Sequence, residues 1–287
     1  ISGMMVIMRK ITKIFQTQPT IEGAGVQLKR GFSNREVELF DPFLLFDDFS
    51  NTEADAYKAG FPMHPHRGME TVTYLLKGEV AHKDSMGNAG SIGAGDVQWM
   101  TAGSGIVHEE MPVVHEEGIQ GFQLWVNLPS KDKLRSPWYQ EIKSTEIPKV
   151  TEERISVKII AGQYKETRGP VQDLMVSPTY LDVTLDPLAP FSLTTILEEN
   201  FFVYVIQGRL MVRDDRSELR VGEGNIGLLS HDTQLGCTAG KEGVQFLLIG
   251  GKQLKEPIAW HGPIVMNTQE EIHQALVELN EGTFIKK

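Results

Sequence analysis

The chain has one cysteine, Cys237, in 287 residues, so no intrachain disulfide can form. That suits a reducing compartment. It also has no dense run of Lys or Arg. The nearest cluster, Lys131 to Arg135, is broken by Asp132 and Leu134, and the formal net charge is -10. A duplex-binding surface needs a strong basic patch to neutralise phosphates, so no direct nucleic-acid partner is expected. No apolar run is long enough to cross a bilayer, and no membrane partner is expected. The start of the chain, Ile1 to Lys10, has a short apolar patch followed by Arg9 and Lys10. A secretory leader has the reverse order, charge first and then a longer apolar run. A cytoplasmic location is the expectation.

What is abundant is short apolar runs separated by glycine turns. The chain carries 28 glycines and 14 prolines. Thr71-Val72-Thr73-Tyr74-Leu75-Leu76 precedes Gly78, and Phe201-Phe202-Val203-Tyr204-Val205-Ile206 precedes Gly208. Gln120 to Val126 and Val244 to Ile249 have the same character. Runs of this length, rich in β-branched and aromatic residues, read as buried strands. Many of them at short spacing favour a sandwich or barrel.

Two regions look like copies. Glu70 to Gly78 aligns with Asn200 to Gly208 at an offset of 130, and Gly93-Ala94-Gly95-Asp96 with Gly222-Glu223-Gly224-Asn225 at 129. A repeat on this scale implies two copies of one domain. The polar, proline-marked stretch from Asn127 to Lys133, with Ser136-Pro137 and Ile147-Pro148 after it, reads as the linker. The boundary is expected near residue 140, giving domains 1–140 and 141–287. Near the end, Thr268 and Glu271 spell a capping box. Ile272, Leu276 and Leu279 share a helical face and Gly282 stops the helix. Between Glu36 and Asp48, Phe40, Phe43, Leu44, Leu45 and Phe46 are expected in the core or lining a barrel.

The stretch that carries chemistry is Met63-His64-Pro65-His66-Arg67-Gly68-Met69-Glu70. Residues two apart in a strand share a face, so His64 and His66 can share one cation. Pro65 cannot donate a ladder bond and places this strand at an edge or a barrel mouth. A second cluster runs from Gly103 to Pro112. There the same parity puts His108 and Glu110 on one face and Glu109 on the other. Two such strands facing each other across a barrel would supply three nitrogens and one oxygen, leaving two positions open on an octahedral metal. Glu70 is the competing carboxylate, since it shares parity with His64 and His66 if Gly68 does not break the strand. A single histidine is more often a hydrogen-bonded core or surface residue; two same-parity pairs beside glycine turns are not so easily dismissed.

His64-x-His66-x3-Glu70 before Gly78 resembles the first cupin motif, and Gly103-x-Gly105-x2-His108 the second. His64-Pro65-His66-Arg67-Gly68, Gly95 to Gly103, Ile106-Val107-His108-x-Glu110-Met111-Pro112, Gly121 to Pro129 and Gly262 to Thr268 resemble the pirin family in particular. The resemblance covers most of the chain. It implies an all-β dominated bicupin, two jelly-roll-like cupin β-barrels with a C-terminal helix. It implies metal ligands at His64, His66, His108 and Glu110, with Glu70 orienting them from outside. The expected cofactor is one divalent transition metal, Fe(II) foremost, with Mn, Ni, Co, Cu and Zn compatible with the same donors. The activity implied is quercetinase-type dioxygenation, opening a flavonol ring with O2, with Glu110 as catalytic general base. The alternatives are a non-catalytic, metal-dependent regulator that binds a protein partner, and another cupin chemistry such as a manganese oxalate-type or zinc isomerase-type enzyme. Projected through the repeat, His64 and His66 fall on Thr194 and Ile196, and Glu70 on Asn200. The C-terminal barrel is therefore expected without a metal site. His82, His115, His231, His261 and His273 are expected to be structural or surface residues.

Overall fold

A computed structural model describes residues 8–171, 174–213 and 218–286. Residues 1–7, on which the leader reading partly rests, lie outside them. The chain forms two compact units. One holds Gln18–Ser144 and everything from Leu254 onward; the other holds the chain up to Thr17 and Thr145–Gln253. This differs from a cut at residue 140. Strand Trp138–Ile142 pairs along its whole length with Val97–Thr101, from Val97 opposite Ile142 to Thr101 opposite Trp138. A boundary at 140 would break that ladder. Both chain ends also cross over. Ile11–Gln16 adds to Asn225–Leu229, whereas Ile264 bridges to Arg67.

The unit carrying the histidines has two antiparallel sheets. In the larger, the strands run in the order Trp138–Ile142, Val97–Thr101, Met69–Lys77, Gln120–Asn127, Phe43–Asp48, Val26–Phe32, Gln18–Glu22. In the smaller the order is Phe61–His66, Ile106–Val113, Glu79–Asp84, Ala89–Ile92. Phe40 and every residue of Phe43–Asp48 are buried, as the apolar pattern there predicts. Helix Gln269–Glu281 forms where expected, with both arms of the Thr268–Glu271 capping box made and Gly282 left-handed at φ 71°. Ile272, Leu276 and Leu279 pack with Ile264, Met266 and Phe284.

The other unit repeats this plan. Its strand Glu199–Arg213 lies between Asn225–Leu229 and Gln234–Lys252, just as Met69–Lys77 lies between Val97–Thr101 and Gln120–Asn127. Gly95 N–H donates to the Leu75 carbonyl and Gly224 N–H to that of Val205. The offsets of 129 and 130 read from the sequence are thus the same turn in two copies. The interiors differ. Val157, Leu181, Val203, Leu235, Phe246 and Leu248 belong to one apolar cluster filling the second unit. Thr194 and Ile196 are exposed, Ile196 at 57%. Exposed His231 meets Asn200 Oδ1 through Nε2 at 2.5 Å.

Candidate metal centre

The two histidine strands are hydrogen-bonded neighbours and do not face each other across a barrel. His108 sits opposite His64 and Ile106 opposite His66. The sequence could not reveal this, because parity fixes the face of a side chain but not the partner of a strand. The convergence is closer as a result. Ring centroids lie 4.5 Å apart for His64–His108, 4.8 Å for His64–His66 and 5.0 Å for His66–His108. One nitrogen from each ring falls within 4.8 Å of the others, the one such group of three or more metal-binding side chains among the described residues.

The donor chemistry fits a cation. His64 Nδ1 lies 2.9 Å from the Pro62 carbonyl. A carbonyl can only accept, so this nitrogen carries the proton and Nε2 keeps its lone pair. That Nε2 lies 3.0 Å from His66 Nε2. Two nitrogens each about 2.1 Å from one metal at a right angle would be about 3 Å apart. His108 Nε2 is buried with no hydrogen-bond partner, a costly state unless a ligand takes the lone pair. Burial holds His66 well below the ordinary imidazole range. It holds His108 down to about 4, against the upward pull of Glu110. Both rings are therefore neutral and able to coordinate at neutral pH.

Parity is right about the two glutamates of the second strand: Glu110 is buried and Glu109 half-buried. A bulge between His108 and Glu110 shifts the register, so that Glu110 pairs with Phe61. Glu110 is not in the group of three imidazoles. Its Oε1 accepts from Thr73 Oγ1 and its Oε2 from Gln123 Nε2, each at 2.9 Å. Gln123 is oriented in turn, because its Oε1 accepts from Trp125 Nε1 at 3.1 Å. The Trp125 ring meets His66 edge-on at 5.2 Å. Sequence reading missed Thr73, Gln123 and Trp125. The signal was the two-residue spacing of Gln123 and Trp125, hidden within a run read only as apolar.

Glu70 is 1% exposed. It accepts from Trp99 Nε1 at 3.1 Å and Thr101 Oγ1 at 2.8 Å, and burial raises its pKa. These bonds tie Met69–Lys77 to Val97–Thr101, and neither partner is a histidine of the site. His82 is buried, with its ring nitrogens 2.6 and 3.0 Å from Tyr139 Oη. His115, His261 and His273 are exposed.

The chain beyond the histidines is pinned by two buried cations. Arg67 donates from Nη2 to Glu278 at 2.7 Å and to the Phe284 carbonyl at 2.9 Å, and stacks on the Phe284 ring at 4.1 Å. Lys133, read from the sequence as part of a polar linker, is 1% exposed. Its ammonium donates to Gly68 O, Asn127 Oδ1 and Val265 O at 2.7–2.8 Å. Burial pushes its pKa down to about 7. Gly68 has φ 77°, and a Cβ there would lie 2.0 Å from Val265 O, so only glycine fits this close approach.

Two largely antiparallel β units on one plan, one of them bearing converging imidazoles, define a two-barrel cupin. Family models agree. The model described as Pirin matches residues 25–126, and that of the Pirin C-terminal cupin domain matches residues 180–285. The chain is 40% identical to a pirin-like protein of Caulobacter vibrioides, over 96% of this chain and 99% of that one. It is also 40% identical to human Pirin, over 94% of this chain and 92% of that one. The crystal structure of a quercetin 2,3-dioxygenase from Acinetobacter baumannii superposes with a TM-score of 0.87 at 34% identity, covering 97% of this chain and 99% of that one. The chain belongs to the pirin family.

No helix among the described residues is long and apolar enough to cross a membrane.

Proposed function

We propose that this protein binds one divalent transition metal, iron(II) foremost, through His64, His66, His108 and Glu110, and that it opens flavonol rings with dioxygen in the cytoplasm. The observation that carries the reading is the His108 Nε2, buried and unpartnered beside two imidazole nitrogens 3.0 Å apart. Beside these rings lies a cavity of about 610 Å³, lined also by Trp125, Gln123 and Trp260. That volume suits a small aromatic ligand. The similarity to the quercetin 2,3-dioxygenase of Acinetobacter baumannii supports the choice of substrate.

When bound, the metal would supply Lewis acidity toward the flavonol hydroxyl and redox chemistry toward dioxygen. The side chains do the rest. His64, fixed by the Pro62 carbonyl, presents one nitrogen in one orientation. Glu110, held by Thr73 and Gln123, would accept the substrate hydroxyl proton as general base. Trp125, edge-on to His66, would shield that ring from water. Ring opening would consume one dioxygen per flavonol and release carbon monoxide.

The test is oxygen uptake by the iron-loaded protein with quercetin. Stoichiometric consumption with carbon monoxide release supports the reading. No uptake with any flavonol, with metal bound, overturns it in favour of a metal-dependent regulator acting on a protein partner. The same assay repeated with Mn, Ni, Co, Cu and Zn ranks the metals.

A further inference from the structure

The floor of the cavity beside the histidines is one face of the sheet formed by Gln120–Asn127, Phe43–Asp48 and Val26–Phe32. Register sorts its side chains into two rows. Gln123 lies opposite Asp47 and Asp47 opposite Arg30, which makes a polar row across three strands. Two residues along, Trp125 lies opposite Leu45 and begins an apolar row on the same face. Phe46 and Leu124, at the intervening positions, are buried behind it. Trp260, brought in by hairpin Ala259–His261 and Ile264–Met266, extends the apolar row. Its ring stacks on Trp125 at 6.0 Å and 28°, and its Nε1 donates to the Gly262 carbonyl. Both indoles remain half-exposed.

The polar row has a definite charge. Arg30 gives Nε and Nη2 to the two Asp47 oxygens at 2.9 and 2.7 Å, and Nη1 to Glu22 at 2.7 Å. Asp47 is nearly buried, whereas the Glu22 side chain is 42% exposed. Two carboxylates thus surround one guanidinium, and their remaining lone pairs can accept hydrogen bonds from a ligand. Such a row favours neutral hydroxyl donors and disfavours a ligand carboxylate. From Gln123 to Arg30 is two interstrand spacings, about 10 Å. That is enough for a bicyclic ring system with a hydroxylated ring beyond it.

We propose that this two-row floor selects neutral, planar polyphenols. The rings lie along Trp125, Leu45 and Trp260, and hydroxyls at the end remote from the histidines donate to Asp47 and Glu22. Trp260 is then a specificity-determining residue contributed by the returning C-terminal segment. The inference rests on the flavonol reading of the same site and names what recognises the ligand.

The test is anaerobic titration of the metal-loaded protein, read by tryptophan fluorescence and calorimetry, so that binding is scored without turnover. Three probes suffice: quercetin, 3-hydroxyflavone, and a flavonol carrying a carboxylate in place of the catechol hydroxyls. Trp260→Ala should weaken both uncharged probes about 10-fold, as loss of an aromatic partner plus its buried area does. Trp260→Phe, which keeps a ring, should restore most of it. Glu22→Gln, at the exposed edge, should weaken quercetin more than 3-hydroxyflavone and improve binding of the carboxylate. Unchanged affinity in Trp260→Ala with an unaltered melting curve overturns the inference. So does tight binding of the carboxylated probe by the wild type. Absent oxygen uptake with Trp260-dependent binding would overturn the dioxygenase reading alone; uptake with Trp260-independent binding would overturn the two-row floor alone.

Discussion

Replacing Glu110 by Gln separates charge from shape at the site. The carboxylate accepts two hydrogen bonds, from Thr73 Oγ1 and Gln123 Nε2. An amide offers one acceptor and one donor. Gln123 cannot rotate to suit it, because its Oε1 already accepts from Trp125. The amide oxygen of the variant must therefore face Gln123, and its NH2 must face Thr73. The Thr73 hydroxyl can accept that bond by turning its own proton away. One hydrogen bond is kept and one reversed, so the stability cost should be within about 1 kcal/mol. Glu110→Ala is different in kind. It strands the donors of Thr73 and Gln123 in a buried site, at about 1–3 kcal/mol each. With Glu110 as general base, Glu110→Gln should lower oxygen uptake about 10²-fold or more, while metal is partly retained. Urea unfolding, metal content and oxygen uptake on the three proteins check this. Full activity in Glu110→Gln with full metal loading would refute the base. A stability loss of several kcal/mol in the same variant would refute the hydrogen-bond reasoning.

Other outcomes follow from the same geometry. Glu70→Gln should leave metal content nearly unchanged by atomic spectroscopy, because Glu70 bonds Trp99 and Thr101 and not the histidines; loss of the metal would make Glu70 a ligand. Lys133→Met should cost about 3 kcal/mol or more in urea unfolding, since three buried acceptors lose a charged donor; a neutral result would contradict its role as a clamp. Folding of the metal-free protein should weaken with acid through His108. Its folded pKa of about 4 lies below the ordinary imidazole value of 6.5, so the unfolded chain takes up the proton first and stability falls as pH drops from 6.5 toward 4. Between pH 7 and pH 5 the wild type should lose about 2 kcal/mol more than His108→Gln; equal losses would show that His108 titrates normally.

Local chemistry was legible in the sequence. The two-residue spacing of His64 and His66, and of His108 and Glu110, gives the right faces because strand parity is local. The helix ends were readable because Thr268, Glu271 and Gly282 act within one turn. The repeat was readable because both copies use the same left-handed glycine turn, at Gly78 and Gly208. Non-local relations were not. The histidine strands are neighbours, a fact of pairing that parity cannot reach. The first and last segments exchange units because strand addition and bridging depend on partners some 200 residues away. Lys133 looks like a solvated linker residue, yet the carbonyls that hold it come from Gly68 and Val265. Trp260 joins a wall with Trp125 across 135 positions, which no pattern within either segment announces.

Metal stoichiometry tests the central claim most directly. The protein would be stripped with chelator, reloaded with iron(II) without oxygen, and its bound metal counted per chain alongside His64→Ala, His66→Ala and His108→Ala. The account predicts one tightly bound ion per chain in the wild type and its loss in each variant, with unfolding curves showing the variants still folded. Two tight ions per chain, or His108→Ala with unchanged metal content, would contradict it.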